Sequence, residues 1–362
     1  MNRVYNFSAG PSMLPLEVLE KAQSEFLCYG DTGMSVMEMS HRSKDFEDIL
    51  ENAKSTLREL MDIPDDYEIV FVQGGGSMQF AMIPLNLFSK TKKADFIQTG
   101  QWSKKAMQEA AKFGTTRVVA SSEDKIFTFI PETKKEDFDP EADYAYITYN
   151  NTIYGTHYTE AKLPDTGDVP LITDISSNVL AEKIDVTKFG LLFAGAQKNI
   201  GPAGVTVVII RKDLVGKAMD ITPTMLDYTT YVKNNSLYNT PPTFGIYIAG
   251  LVFEWVKNKG GVEAVQKINE EKCGILYDFL DDSDLFRGTV VKEDRSIMNA
   301  PFILPTDELN KKFIKEAAAN GFVNLAGHRT VGGMRASMYN AMPIEGVQAL
   351  VEFMKDFEVK NK

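Results

Sequence analysis

Seven short apolar runs limit the folds open to this chain more than any other feature: residues 68–72, 94–98, 116–120, 144–149, 171–173, 190–194 and 204–210. Most are nearly continuous in apolar residues, the pattern of strands covered on both faces. Helical or loop crossovers separate the earlier runs. The spacing therefore predicts an α/β fold whose large domain has a mostly parallel seven-stranded sheet covered by helices. The last run follows the one before it after only a short turn, which suits antiparallel pairing.

In open α/β sheets, ligands bind outside the carboxyl ends of the strands, so the residues just after each run are the first place to look for chemistry. The run at 68–72 leads into Gly74, Gly75, Gly76 and Ser77 and then a helix. Glycines let the backbone approach an anion, and a helix start offers unpaired N–H donors. The motif is neither a Walker loop nor a dinucleotide fingerprint, and a plain turn is its ordinary alternative. Trp102 follows the second strand and could stack on a flat ligand or simply pack. Asn150, Asn151 and Thr152 follow the run at 144–149, and Asp174 follows that at 171–173. Gln197 and Lys198 follow the run at 190–194, ahead of an Asn-Ile-Gly-Pro turn. A lysine held there with little other charge nearby could be a neutral, Schiff-base-forming amine, although taken alone a strand-end lysine reads first as a solvated surface residue. A buried acid near the same rim needs a cationic partner, which the protonated ring nitrogen of pyridoxal phosphate would supply. A structural aspartate capping the turn at 176–178 is the alternative.

At 362 residues the chain is long enough for a full core and two domains. A net charge of −11 argues against general nucleic-acid binding, so an anionic substrate would need a local basic cluster. His41 and Arg42 ahead of a helix over residues 45–61 form one half of such a cluster; His328, Arg329 and Arg335 in a Gly-rich setting form the other. The two cysteines, Cys28 and Cys273, fall in helical patterns and have no metal-ligand spacing. No apolar stretch follows Arg3, and no segment approaches a membrane span. The expectation is a reduced, cytoplasmic protein without metal, membrane or nucleic-acid partners. Residues 6–12 read as an ordered arm, followed by a helix over 15–27. After a joint at 258–261, the chain reads as a smaller α+β domain: helices over 262–280, 307–320 and 344–357, with strands at 289–292 and 300–304. The boundaries drawn are an arm at 1–15, a large domain at 16–258 and a small domain at 259–362.

Eight separate stretches, in order, then carry a likeness: residues 6–11, 40–43, 72–80, 150–152, 174–177, 195–202, 238–242 and 327–335. With them the chain resembles the phosphoserine aminotransferase family of fold-type I pyridoxal-phosphate enzymes. The resemblance implies that Lys198 carries the cofactor, Asp174 faces its pyridine nitrogen and Trp102 stacks on its ring. It assigns Thr152 and Gln197 hydrogen bonds to the cofactor, and Gly76 and Ser77 its phosphate. Asn239 and Thr240 match a pair that family members lend to the neighbouring subunit, which implies a homodimer. Arg335 would fork the substrate α-carboxylate, and His41, Arg42, His328 and Arg329 would hold the distal phosphate or carboxylate. Some relatives carry Arg where this chain has Ser77, so its phosphate cup would lean on N–H groups and on the partner. The implied reaction moves an amino group between L-glutamate and 3-phosphohydroxypyruvate, giving O-phospho-L-serine and 2-oxoglutarate in serine biosynthesis. The likeness leaves open a phosphohydroxythreonine substrate from vitamin B6 synthesis. A serine–glyoxylate aminotransferase, a cysteine desulfurase-like lyase or a non-catalytic phosphate-ligand binder would be the rival readings.

Overall fold

The computed structural model describes residues 3–362. In chain order, β1 (Tyr5–Asn6), α1 (Leu16–Ser24) and α2 (Lys44–Leu60) precede β2 (Tyr67–Val72) and α3 (Gly75–Leu87). Next come β3 (Lys93–Gln98), α4 (Gln101–Ala110), β4 (Thr115–Ser121), β5 (Tyr144–Thr148), β6 (Leu171–Asp174), β7 (Leu191–Gly195) and β8 (Thr206–Arg211). Two helices, α5 (Tyr228–Lys233) and α6 (Thr243–Asn258), lead to α7 (Gly261–Asp282). The chain ends with β9 (Arg287–Gly288), β10 (Asn299–Ile303), α8 (Asp307–Ala319), β11 (Phe322–Val323), β12 (Met334–Ser337) and α9 (Ile344–Asn361).

The seven expected runs form one sheet in the order β2-β8-β7-β6-β5-β3-β4. β8 runs against both neighbours, pairing Leu191 with Ile210 and Ile69 with Ile209; the other neighbouring strands pair in parallel. The near-continuous apolar character has a direct cause, because alternate side chains enter two separate cores. From β2, Ile69 and Phe71 join the core that includes Leu50 and Leu57 of α2 and Val252 and Phe253 of α6. Val70 and Val72 enter the opposite core with Phe80 of α3 and Ala106 of α4. α2 starts where Ser43 caps it by accepting the Phe46 N–H.

A further core gathers Phe286, Phe302, Phe313, Phe357 and Met334 around α7, α9 and the antiparallel sheet β12-β10-β9. Phe7 of the arm is fully buried in it, while β1 pairs in parallel with β11, so the arm is part of a sheet rather than an attachment beside one. Two expectations require correction, on a strand and on Cys28. The strand expected at 289–292 is absent: β9 lies earlier, and Lys292–Asp294 form a 3-10 turn. The Asp294 carboxylate binds the Ile130 N–H and the Lys162 amine there, and these ties favour a turn. The short strands β11 and β12 go beyond the sequence reading. Cys28 lies past the end of α1, exposed, rather than in a helix.

Candidate active site

Parallel register brings the strand ends level. Thr148 on β5 pairs with Asp174 on β6, and Asp174 with Phe193 on β7, so the loops leaving these strands meet at one rim. Just past β7, Lys198 directs Nζ to Thr152 Oγ1 at 2.7 Å, joining the β7 and β5 exits. A cleft of about 260 Å³ opens there, lined by Gly76, Ser77, Trp102, Thr152, Asp174, Gln197 and Lys198. His328 and Arg335, more than 120 positions further along the chain, line it too.

At the β2 exit the backbone turns through Gly74 and Gly75 at φ of 93° and 64°, a left-handed region that glycine tolerates. α3 therefore begins at once, and Gly76 and Ser77 sit in its first turn, where N–H groups lack helical acceptors. Burial makes the Lys198 amine less basic than an ordinary lysine; the Asp174 carboxylate opposes this and the Arg335 guanidinium adds to it. Asp174 is 6% exposed, accepts the Ser176 N–H at 2.8 Å and forms no ion pair among the described residues. Arg335 donates to the Thr152 carbonyl at 3.1 Å, while its Nε is buried without a partner. Burial lowers the basicity of His328 as well, helped by Arg335, Arg329 and Lys105.

Other sequence-named residues lie outside this cleft. His41 and Arg42 hydrogen-bond each other, Arg42 Nε to His41 Nε2 at 3.4 Å, at the entry to α2. Arg329 is exposed beside His328. Asn239 Nδ2 donates to the Thr240 carbonyl, which also receives the Gln73 amide beside the glycine turn. Neither cysteine lines the cleft; Cys273 is buried in α7, which pushes its thiol up to about 11. Among the described residues no group of three side chains is placed to hold a metal ion, and no helix is long and apolar enough to cross a membrane.

The class-V aminotransferase family matches residues 4–350. A phosphoserine aminotransferase of Bacillus cereus is 58% identical over 362 residues, covering 100% of both chains. The solved phosphoserine aminotransferase of Bacillus circulans subsp. alkalophilus superposes with a TM-score of 0.96 at 49% identity, covering 99% of each chain. That from Trichomonas vaginalis, with pyridoxal phosphate bound, gives 0.93 at 40% identity over 98% of this chain and 100% of the other. The chain belongs to the phosphoserine aminotransferases.

Enzymes of this family depend on pyridoxal 5′-phosphate, and the cleft of this family member suits that group. Asp174 is a buried acid with one backbone donor and no ion-pair partner among the described residues, a place that a protonated ring nitrogen would fit. Trp102 Nε1 is buried without a partner, and the Trp102 ring centroid lies 5.6 Å from Lys198 Nζ, within reach of an aromatic ligand on that amine. Residues absent from the sequence reading of the site also line the cleft: Ala9, Gly10, Phe80, Ile153 and Ser176. A Cβ on Gly10 would stand 3.2 Å from Lys198 Cγ, so the arm forms a wall of the site. Its turn-rich sequence signalled order, but its location comes from the Ser12 N–H bonding the Gln197 carbonyl at 3.1 Å.

Proposed function

We propose that this phosphoserine aminotransferase moves the amino group of L-glutamate to 3-phosphohydroxypyruvate, reversibly, and that the residues in the cleft carry the roles the resemblance implies. The observation that supports this most is the meeting of Lys198, Thr152, Asp174 and Arg335 around one cleft, with the lysine amine made less basic by burial. When bound, pyridoxal phosphate supplies an electron sink for the charge left at the substrate carbon. Lys198 Nζ is the attachment point and, once free and neutral, takes the proton from substrate Cα. Asp174 keeps the pyridine nitrogen protonated, and Thr152 and Gln197 orient the ring edge. Trp102 stacks on the ring and helps exclude water. Gly76 and Ser77 bind the cofactor phosphate through N–H groups and a hydroxyl. Arg335 meets the substrate α-carboxylate with its free guanidinium edge.

His328 and Arg329 take the distal phosphate or γ-carboxylate, and a second copy of this chain lends His41, Arg42, Asn239 and Thr240. The support for this is that these four lie outside the cleft of their own chain, whereas Arg329, also outside it, is adjacent to His328 in the lining. The active form is then a homodimer. The reaction belongs to the reduced cytoplasm, in keeping with two unpaired cysteines. Residues 16–258 and 259–362 act as the large and small domains.

A single-turnover absorption spectrum tests the reading. O-phosphoserine should convert the bound cofactor to its amine form, whereas serine and aspartate should not. A spectrum unchanged by phosphoserine would remove the substrate and leave the fold. Lys198→Ala should lose the visible band that the loaded protein shows.

A further inference from the structure

Lys272 is a buried charge-bearing group to which the roles above give no task. It lies on α7, fully buried, and forms no ion pair among the described residues. Lysines are rarely buried without a carboxylate. Here Nζ donates instead to three backbone carbonyls of one segment: Tyr339 at 2.8 Å, Met342 at 3.1 Å and Met338 at 3.3 Å. Burial pulls the amine down to about 7, against the neighbouring Cys273 thiol, which favours the charged form. Three converging acceptors also favour it.

One turn earlier on the same helix, Asn269 is fully buried and donates Nδ2 to Asn340 Oδ1 and to the Ala181 carbonyl, both at 2.9 Å. Segment 338–342 therefore rests on two polar side chains of α7, three residues apart and on one face. The segment passes its position on. The Asn340 N–H donates to Asn199 Oδ1 at 2.9 Å, and Asn340 Nδ2 donates to the Leu180 carbonyl at 2.8 Å. Asn199 Nδ2 in turn donates to the Val179 carbonyl at 2.6 Å. Asn199 is the residue after Lys198, and the turn at 179–181 lies just beyond Asp174. The segment also begins immediately after β12, which carries Arg335.

We propose that Lys272 is a positioning residue for the transamination: by holding segment 338–342 it fixes Asn340 on Asn199, and so fixes the backbone from which Lys198 reaches the substrate. The proposal rests on Lys198 being the reacting amine. Lys272 itself touches neither substrate nor cofactor. Its effect falls on proton transfer, because a small displacement of the base costs rate even where binding survives.

The test uses Lys272→Met, which keeps the length and apolar stem but removes the donors, and Asn340→Ala, which cuts only the later link. Folding is checked by circular dichroism and melting. Two rates are then followed: single-turnover reaction of the loaded enzyme with phosphoserine, and uptake of pyridoxal phosphate by the cofactor-free protein. Lys272→Met should slow the first about 10-fold or more while half-saturation by phosphoserine stays within about threefold, and uptake should slow alongside. Asn340→Ala should show the same split at smaller size. Wild-type rates in both folded variants would overturn the proposal, as would a raised half-saturation at unchanged rate, which would locate the effect at Arg335 instead. If Lys272→Met does not fold, Asn340→Ala decides by the same measures. Lys198→Ala separates the two layers: turnover surviving in that variant would remove the premise, whereas turnover lost there but normal in the other two would remove only the role of Lys272.

Discussion

The core on either side of the seven-stranded sheet and the core around α7 and α9 are held together differently. In the first, strands alternate apolar side chains into two layers, and polar residues appear mainly where strands end at the cleft. The second is a cluster of phenylalanines, Phe286, Phe302, Phe313 and Phe357, whose seam with the sheet region is crossed by polar side chains. Asn150 reaches Ser177 and Asn299 at 2.8 Å each, Asn299 reaches Ser337 at 3.0 Å, and Tyr339 donates to the Ala9 carbonyl at 2.8 Å. Lys272 and Asn269 add further bonds of this kind, from α7 to the segment that follows β12. The sheet thus places Lys198, Thr152 and Asp174 at the cleft through local strand ends, while long-range polar joints tie the region that carries His328 and Arg335 to it. Buried hydrogen bonds suit that task because, unlike apolar contact, they are directional.

The strand ends should show the largest effect. If Lys198 is the reacting amine proposed above, Lys198→Ala should reduce transamination by about 10³-fold or more with little change in melting temperature. Stopped-flow turnover and a thermal melt check both halves. Loss of melting temperature in step with activity would blur the distinction between the strand ends and the rest.

The aromatic core should respond in the opposite sense. Phe313 is fully buried and packs against Phe286, Phe302 and Phe357 with ring centroids 5.1 to 6.0 Å apart. Phe313→Ala should cost about 3–5 kcal/mol in urea unfolding, while the folded fraction keeps its rate. A selective loss of rate without loss of stability would contradict this division of labour.

The polar seam should show itself through pH. Lys272 has an ordinary value of 10.5 in the unfolded chain and about 7 in the fold. Between those values the unfolded chain keeps a proton that the folded chain has released, so stability rises with pH and the burial penalty is greatest below 7. The Cys273 thiol, raised from 9.0 to about 11, reverses part of the trend above 9. From pH 7 to 9, wild-type unfolding free energy should gain about 1.4 kcal/mol per pH unit from this lysine, and Lys272→Met should lack that slope. Identical slopes in the two proteins would show that the amine stays charged throughout.

The smallest effect belongs to the start of α2. Ser43→Ala removes the side chain that accepts the Phe46 N–H and should cost about 1 kcal/mol by denaturant unfolding. If Ser43 serves only as a cap, turnover will stay at the wild-type level. A disproportionate loss of turnover would tie this helix entry, with adjacent His41 and Arg42, to the substrate side.

By itself the sequence determined the parallel sheet, its antiparallel β8 and the polar residues at the strand ends, because burial on both faces leaves a local signature in each run. It also carried the motifs that identify the family, including Lys198 and Asp174. Where the local signature was weak, the reading went astray: residues 289–292 look strand-like, yet ties to Ile130 and Lys162 turn the chain at Asp294. Two-residue β11 is too short to show any period, and only its pairing with β1 makes it a strand. Tertiary structure alone placed the arm as a wall of the cleft, put His328 and Arg335 opposite Lys198, and left His41 and Arg42 outside. Those placements depend on hydrogen bonds between residues up to 330 positions apart, such as Tyr339 to Ala9, and no short window of sequence contains both partners.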